Sequence, residues 1–293
     1  MHLEYKVTED HHKQKVSQIL KSQLKISRGE MRRLKRCAGV MINGQTVRLN
    51  APVKAGDLIQ INFQEDKNQP VIPQKLPLDI LFEDEHILVL NKPSNMLVHP
   101  LSYHVLDTLA NGVIYHLQLQ GRNSKFRAVS RLDKDTSGVI IIAKNSYSCY
   151  QLAEQMKKGF CQREYLAVVH NSIDIDTGTI NLPIGRPYDG SLIFGVTPQG
   201  KAAITHFSVI QRFAGGSLVK LRLETGRTHQ IRVHMSHLGH PIMGDDLYGG
   251  DLEIIRRQAL HSWRLKFNHP VTKETMQCEA PLPEDMTALI HKL

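Results

Sequence analysis

The residues best suited to chemistry lie in one run, Ser130-Arg131-Leu132-Asp133-Lys134-Asp135-Thr136-Ser137-Gly138, followed directly by the apolar stretch Val139-Ile140-Ile141-Ile142-Ala143. A carboxylate, Asp133, stands between the cations Arg131 and Lys134 on a short polar loop that feeds a buried strand. Thr-Ser-Gly closes the loop, the first two residues through side-chain hydrogen bonds and the glycine through its tolerance of positive φ. A rigid loop of this kind holds a carboxylate still at the floor of a cleft, where it can act as nucleophile or base. Taken alone, the run reads first as an Asx-turn with a surface ion pair. Its meaning depends on what the rest of the chain supplies.

Two further segments carry that weight. One is Arg163-Glu164-Tyr165-Leu166-Ala167-Val168. The other is Thr225-Gly226-Arg227-Thr228-His229-Gln230-Ile231-Arg232-Val233-His234, continuing through His240-Pro241-Ile242 to Gly244-Asp245 and Tyr248-Gly249. Weaker echoes are Asn91-Lys92-Pro93, His99-Pro100 and Leu260-His261. In this order, across residues 78–290, they resemble the signature of the RluA-type pseudouridine synthases. The resemblance implies a cofactor-free isomerisation of uridine in RNA, with Asp133 as the catalytic carboxylate. It implies that Arg232 pairs with Asp133 through a fork of donors, that Tyr165 stacks on the detached base and serves proton transfer, and that Arg131 steadies the opened RNA. Read without the resemblance, Tyr165 is a strand residue of the core and Arg232 half of a surface ion pair. One position departs from the family: the histidine that usually precedes Arg-Leu-Asp is Ser130 here. That histidine is associated with RNA handling, so activity is expected to persist while substrate placement changes.

The elements that must position these groups can be read from the pattern. Residues 13–24 have helical spacing (Val16, Ile19, Leu20, Leu24), and Ser27 with Glu30 looks like a capping box opening a second helix over 28–37. Asn43-Gly44 marks a hairpin, and Leu58-Ile59-Gln60-Ile61 another strand. Helix, helix and small sheet resemble the S-four-type RNA-binding domain, named after a small-subunit ribosomal protein; it is assigned to residues 13–63. Residues 64–78, with Pro70, Pro73 and Pro77, form a linker, and 79–293 the catalytic domain. There, strands are expected around 80–82, 87–90, 138–143, 165–169, 204–210 and 217–223. A helix is expected over 146–158, stopped by Gly159, and another from a Thr228 cap to Leu238. Strands without a regular βαβ rhythm predict an α+β fold with a large mixed, mainly antiparallel sheet.

Charge and composition narrow the partners. The net charge is +9, yet residues 11–40 alone hold nine Lys/Arg against one acid, Glu30. Such asymmetry points to a polyanion, nucleic acid before membrane surface, and Arg28, Arg32, Arg33, Lys35 and Arg36 are the predicted RNA contacts. No apolar run reaches the ~20 residues of a membrane span and no signal pattern opens the chain, so a cytoplasmic location is expected. Cys37, Cys149, Cys161 and Cys278 lie far apart, which predicts free thiols.

Gly195 to Lys201 imitates a phosphate-binding loop, but Ala202 replaces the magnesium-binding hydroxyl and the next residues alternate like a strand; a hairpin turn is expected. His229, His234, His237 and His240 cluster without HExxH or acidic ligand spacing, so they predict hydrogen bonds or RNA contacts and no metal. The leading reading is a monomeric synthase without nucleotide or other cofactor. It acts on structured RNA, with large-subunit ribosomal RNA first by resemblance and transfer RNA second. The rivals are a catalytically silent RNA-binding chaperone and an unrelated hydrolase using Asp133 with a histidine.

Overall fold

Every side chain from Val139 to Ala143 is buried, as a strand without polar alternation needs when both of its faces are covered. A computed structural model describes residues 1–63, 70–191 and 193–293. The N-terminal part comprises β1 (His2–Lys6), α1 (Val16–Ser22), α2 (Arg28–Arg36), β2 (Val40–Ile42), β3 (Gln45–Thr46) and β4 (Leu58–Asn62). The remainder begins with β5 (Asp79–Glu83), β6 (Ile87–Lys92), α3 (Leu109–Leu119), β7 (Ser137–Ala143), α4 (Ser146–Lys157), β8 (Gln162–His170) and β9 (Thr177–Asn181). It continues through β10 (Ile184–Gly185), β11 (Gly195–Val196), β12 (Ile204–Phe213), β13 (Gly216–Leu223), α5 (Gln230–His237), β14 (Leu260–Asn268), β15 (Thr275–Glu279) and α6 (Glu284–Lys292).

A nine-stranded sheet runs in the order β5-β6-β7-β14-β8-β13-β12-β9, with β15 also on β14. Its pairs are antiparallel except β7 with β14, which meet at His261↔Ser137 and Ser262↔Gly138. This is the α+β architecture expected from the sequence. At the parallel junction the backbones nearly touch: Gly138 adopts φ 108°, and a Cβ there would overlap the Ser262 carbonyl. The glycine that ends the Thr-Ser-Gly run is thus required by a close approach as well as by its dihedral.

Alternation sorts the central strands between two cores. Leu88, Leu90, Ile140 and Ile142 pack with Val113 and Leu117 of α3, Met235 of α5 and Met286 of α6. Ile87, Val89, Val139 and Ile141 face the other way, against Leu152 of α4 and Phe267 of β14. Each such side chain contributes roughly 1.5–3 kcal/mol on burial. The helices α3 and α6 and the strands β14 and β15 have no counterpart among the expected elements. Thr108, whose hydroxyl accepts the Asn111 N–H and whose own N–H donates back to the Asn111 side chain at 3.0 Å, was the available start signal for α3.

In the N-terminal sheet the order is β1-β4-β2-β3, so residues 2–6 pair with β4 and belong to the same unit as residues 13–63. The first helix is shorter than its spacing suggested. Lys13 sits at φ 65°, and residues 13–14 exchange backbone bonds with Val53, which holds the chain extended until Val16. Ser27 caps α2 as expected, accepting the Glu30 N–H at 3.1 Å. The Glu30 carboxylate does not complete the box; it accepts from Ser146 Oγ of α4 at 3.0 Å. Asn43 and Gly44 both take positive φ, the primed turn that a two-residue hairpin needs. Of the expected linker, residues 64–69 lie outside the described residues, and 70–78 run past α3, where the Asn111 amide donates to the Ile72 carbonyl at 2.7 Å. The segment imitating a phosphate loop is a turn: the Gly200 N–H donates to the Thr197 carbonyl at 2.9 Å, and Lys201 bridges to Ile184.

Candidate active site

Asp133 lies on the loop leading into β7, and the loop is held at consecutive residues. The Thr136 N–H donates to the Asp133 carbonyl at 3.2 Å, closing the turn. Lys92, at the end of β6 and fully buried, gives its Nζ hydrogens to the carbonyls of Pro93 (2.7 Å), Met96 (2.9 Å) and Lys134 (2.9 Å). Burial pushes this amine down to about 7, while Asp135 and Asp133 oppose the shift. Three carbonyl acceptors are a set that only the protonated amine can serve in full. Arg257 Nη1 donates to the Asp135 carbonyl at 3.1 Å, and its other nitrogens grip Asp285 of α6 at 2.6 and 2.7 Å. Gln258 Nε2 donates to Thr136 Oγ1 at 2.9 Å. Lys134 is therefore tied to the end of β6, and Asp135 and Thr136 to the Arg257–Gln258 pair beside α6.

The side chain of Asp133 meets α5. Arg232 Nη1 donates to Asp133 Oδ2 at 3.2 Å, while Nε and Nη2 donate to Asp245 Oδ2 and Oδ1 at 2.7 Å each. Asp245 is completely buried, Arg232 nearly so, and Asp133 retains 30% of its side-chain exposure. One guanidinium thus serves two carboxylates, a buried one that orients it and an accessible one that it orients. The Arg232 guanidinium also lies 4.9 Å from the Tyr248 ring centroid, adding a cation–π contact.

α5 starts from a knot rather than from the expected Thr228 cap. Gln230 Oε1 accepts from the Arg227 N–H at 3.0 Å and from Thr225 Oγ1 at 2.8 Å, and its Nε2 donates to the Ile204 carbonyl and to Thr205 Oγ1, both at 3.0 Å. The N-cap position is His229, left-handed at φ 55°, with no side-chain bond to the helix. Its Nε2 lies 3.9 Å from Asp133 Oδ2 and its Nδ1 2.9 Å from the Tyr248 hydroxyl.

Tyr165, on β8, is buried opposite Ser262 and belongs to the core cluster that also holds Ile231 and Leu132. Burial pushes its phenol up, the neighbouring Asp133 charge adds to this, and Arg163 and a hydrogen bond with Ser262 oppose it. Asp133, Tyr165 and Arg232 therefore converge. Arg131 is exposed on the loop beside them, and Ser130 is half-buried. Arg28, Arg32, Lys35 and Arg36 are exposed on α2, whereas Arg33 is half-buried and pairs with Glu30 at 3.5 Å. An open hollow lined by Lys21, Arg28 and Arg32 over Ile26 and Met31 lies between α1 and α2.

The histidine cluster divides. His234 is buried and bonded to Thr205 Oγ1 at 2.9 Å and the Leu182 carbonyl at 3.0 Å, while His240 bonds the His170 carbonyl at 3.2 Å. His229 alone of the four faces Asp133. Asp245, Tyr248 and Lys92 stood in quoted motifs without an assigned role, and Arg257 was not singled out from sequence. A lysine ending an otherwise apolar strand was the signal for Lys92; Asp245, after a glycine in a quoted motif, offered only its position. The four cysteines are free. Among the described residues, no helix is long and apolar enough to cross a membrane.

The chain is similar to known proteins. The family model described as RNA pseudouridylate synthase matches residues 86–237, and that of the RluD ribosomal pseudouridine synthase N-terminal domain matches residues 3–59. The RNA pseudouridine synthase YjbO of Bacillus subtilis is 46% identical over 86% of this chain and 89% of its own. Ribosomal large subunit pseudouridine synthase D of Xylella fastidiosa is 40% identical over 87% of this chain and 81% of its own. Among solved structures, human RNA pseudouridylate synthase domain containing 1 superposes with a TM-score of 0.58 at 28% identity, covering 70% of this chain and 83% of the human one.

Proposed function

This chain belongs to the RNA pseudouridylate synthase family, an isomerase family acting on uridine in RNA, and from that premise we propose how its residues share the work and which RNA it takes. Asp133 acts at the ribose of a flipped-out uridine, by attack on the sugar or by removal of a ribose proton. Either route breaks the bond from ribose to uracil N1, leaves the electron pair on the base, and lets the base turn and rejoin through C5. The C5 proton is then lost to water and N1 takes one from it, and where Asp133 has taken a ribose proton it returns it as the bond to C5 forms, so the overall change is an isomerisation. Arg232 holds the carboxylate at the reacting sugar. Tyr165, with its phenol pushed up and therefore protonated at neutral pH, works through its ring face and as a hydrogen-bonding relay with Ser262 rather than as a phenolate. Arg131 contacts the opened RNA, offsetting the few kcal/mol that flipping costs. The isomerisation is redox-neutral and moves no phosphate, so these side chains suffice without a nucleotide cofactor.

The observation that carries the assignment is the single guanidinium shared between buried Asp245 and accessible Asp133. The N-terminal unit grips the RNA through the exposed cations of α2. The substrate is large-subunit ribosomal RNA, supported by the relative from Xylella fastidiosa named for that activity and by the match of residues 3–59 to the N-terminal domain of a ribosomal synthase. The enzyme works in the cytoplasm. The test is pseudouridine mapping of ribosomal and transfer RNA from cells lacking the protein, complemented with wild type or Asp133→Asn. A ribosomal site restored only by wild type is the expected result. A site in transfer RNA would redirect the substrate, and unchanged maps in both RNAs would overturn the reading.

A further inference from the structure

His229 occupies a position that its residue type does not favour and that the helix does not use. At φ 55° and ψ 23° it is left-handed, a conformation that costs a non-glycine residue about 1 kcal/mol or more, and as N-cap it makes no side-chain bond to α5. In this conformation the imidazole does not cap the helix and lies beside Asp133 and the Tyr248 hydroxyl. There the ring stands edge-on to Tyr248 (centroids 5.6 Å apart) and to Phe194 (6.0 Å apart).

Its hydrogen bonds select one tautomer. The Phe194 N–H donates to the Tyr248 hydroxyl oxygen at 3.2 Å, and that hydroxyl lies 2.9 Å from His229 Nδ1. The Phe194 N–H and the Tyr248 hydroxyl hydrogen both find acceptors when Tyr248 donates to Nδ1, which leaves the ring hydrogen on Nε2, pointing toward Asp133 without a partner. Burial pushes the imidazole down, and the Arg232 cation adds to this against the pull of Asp133 and Asp245, so the neutral ring is the form present near pH 7. Nε2 lies 3.9 Å from Asp133 Oδ2, too far for a hydrogen bond between them and close enough for both to touch one bound nucleoside. The groups facing the ring are thus Asp133, Arg232, Asp245 and Tyr248.

We infer that His229 is a further catalytic residue: its Nε2–H donates a hydrogen bond to the 2-carbonyl oxygen of the target uracil as the glycosidic bond breaks. The inference rests on Asp133 acting at the ribose. Both routes open to Asp133 leave the N1–C1′ electron pair on uracil, and the resulting negative charge spreads onto O2, the carbonyl beside N1. A fixed N–H donor there stabilises charge that is absent from the ground state, which raises kcat and leaves binding nearly unchanged. No proton is transferred: the hydrogen stays on Nε2, and Tyr248 keeps the tautomer.

The test compares His229→Phe, which keeps an aromatic ring between Phe194 and Tyr248, with His229→Gln, which restores an N–H donor. Synthetic RNA spanning the mapped uridine is used, with the target as uridine, 2-thiouridine or 4-thiouridine. His229→Phe is expected to lower kcat about 10- to 100-fold with KM within about twofold, and Gln to recover part of that loss. Sulfur at position 2, a poorer acceptor, is expected to slow the wild type more than sulfur at position 4, and to cost His229→Phe little extra. A His229→Phe variant within threefold of wild-type kcat would overturn the inference. So would a loss that Gln does not repair, or a 2-thio effect equal in wild type and variant. Wild-type turnover with an inactive Asp133→Asn, measured on the same RNA, separates failure here from failure of the functional reading.

Discussion

The α2 surface and the surroundings of Asp133 are both rich in cations, yet they treat charge in opposite ways. On α2, Arg28, Arg32, Lys35 and Arg36 stand exposed, and only Arg33 is drawn back toward Glu30. In the cleft, Lys92 is fully buried on three carbonyls, Arg232 is forked between two aspartates, and Arg257 is divided between Asp285 and the Asp135 carbonyl. Exposed cations attract a polyanion over a Debye length and contribute little to holding the fold. Buried cations attract nothing at a distance, but each fixes the geometry of whatever accepts its hydrogens. Under the proposed function, the first arrangement sets affinity and its salt dependence, and the second sets the rate at a bound uridine.

The sharpest way to break this contrast is at Asp133. Asp133→Asn keeps size and loop contacts, and should cut turnover by about 10³-fold or more while RNA affinity stays within a fewfold, measured by single-turnover kinetics and filter binding. Comparable losses in both quantities would mean that the cleft also anchors the RNA. Next comes the buried partner. Asp245→Ala leaves Arg232 with only its one bond to the half-exposed Asp133, and should cost up to about 3–5 kcal/mol in denaturant unfolding besides activity. Adding Arg232→Met should restore part of the stability and none of the activity; recovery of neither would show that the network is not a charge-balance device. On the other side, Arg32→Glu with Arg36→Glu should weaken RNA binding about tenfold and flatten its salt dependence by about one unit of slope per lost phosphate contact. Melting temperature and saturated turnover should not move, and a fall in saturated turnover would place α2 in the chemistry.

The smallest effect lies away from both regions, in the fold's acid limb. Glu83 accepts from Lys144 at 2.7 Å, Gln120 at 2.8 Å and His116 at 2.8 Å; burial opposes the charge, but these bonds win and bring its carboxyl down to about 2. His261, buried between Ser137 and the Ala280 carbonyl, is pushed down to about 4 by burial. Both groups bind protons less readily folded than unfolded, so both favour the fold at higher pH. The His261 share should be lost between pH 6.5 and about 4, and the Glu83 share between 4.5 and about 2. Urea melts across that range check it: Glu83→Gln should remove only the lower segment of the decline.

Much of the molecule was legible because its signals are local. Ser27 caps α2, Asn43-Gly44 turns its hairpin, Gly159 takes φ 74° after α4, and the unbroken run Val139–Ala143 could only be a strand covered on both faces. The α3 and α6 helices escaped the reading because their apolar stripes match many short segments and gain meaning only against Leu90 or Ile142 across the sheet. The start of α5 was misplaced for a related reason. Thr228 has the composition of a cap, but the bonds that begin the helix come from Thr225, Ile204 and Thr205, on strands distant in sequence from it or in the preceding turn.

The same division runs through the site. The loop around Asp133 drew attention by its residue types, whereas Tyr165 and Arg232 came only from the resemblance of their motifs, because an aromatic on a strand and an arginine on a helix are by themselves ordinary core and surface residues. Which carboxylate orients the arginine, which carbonyls hold the loop, and which of four histidines turns toward Asp133 were decided only by tertiary structure. Those choices are made by directional bonds of about 3 Å between segments up to 122 residues apart, such as Arg257 with the Asp135 carbonyl, and no local spacing encodes such a distance.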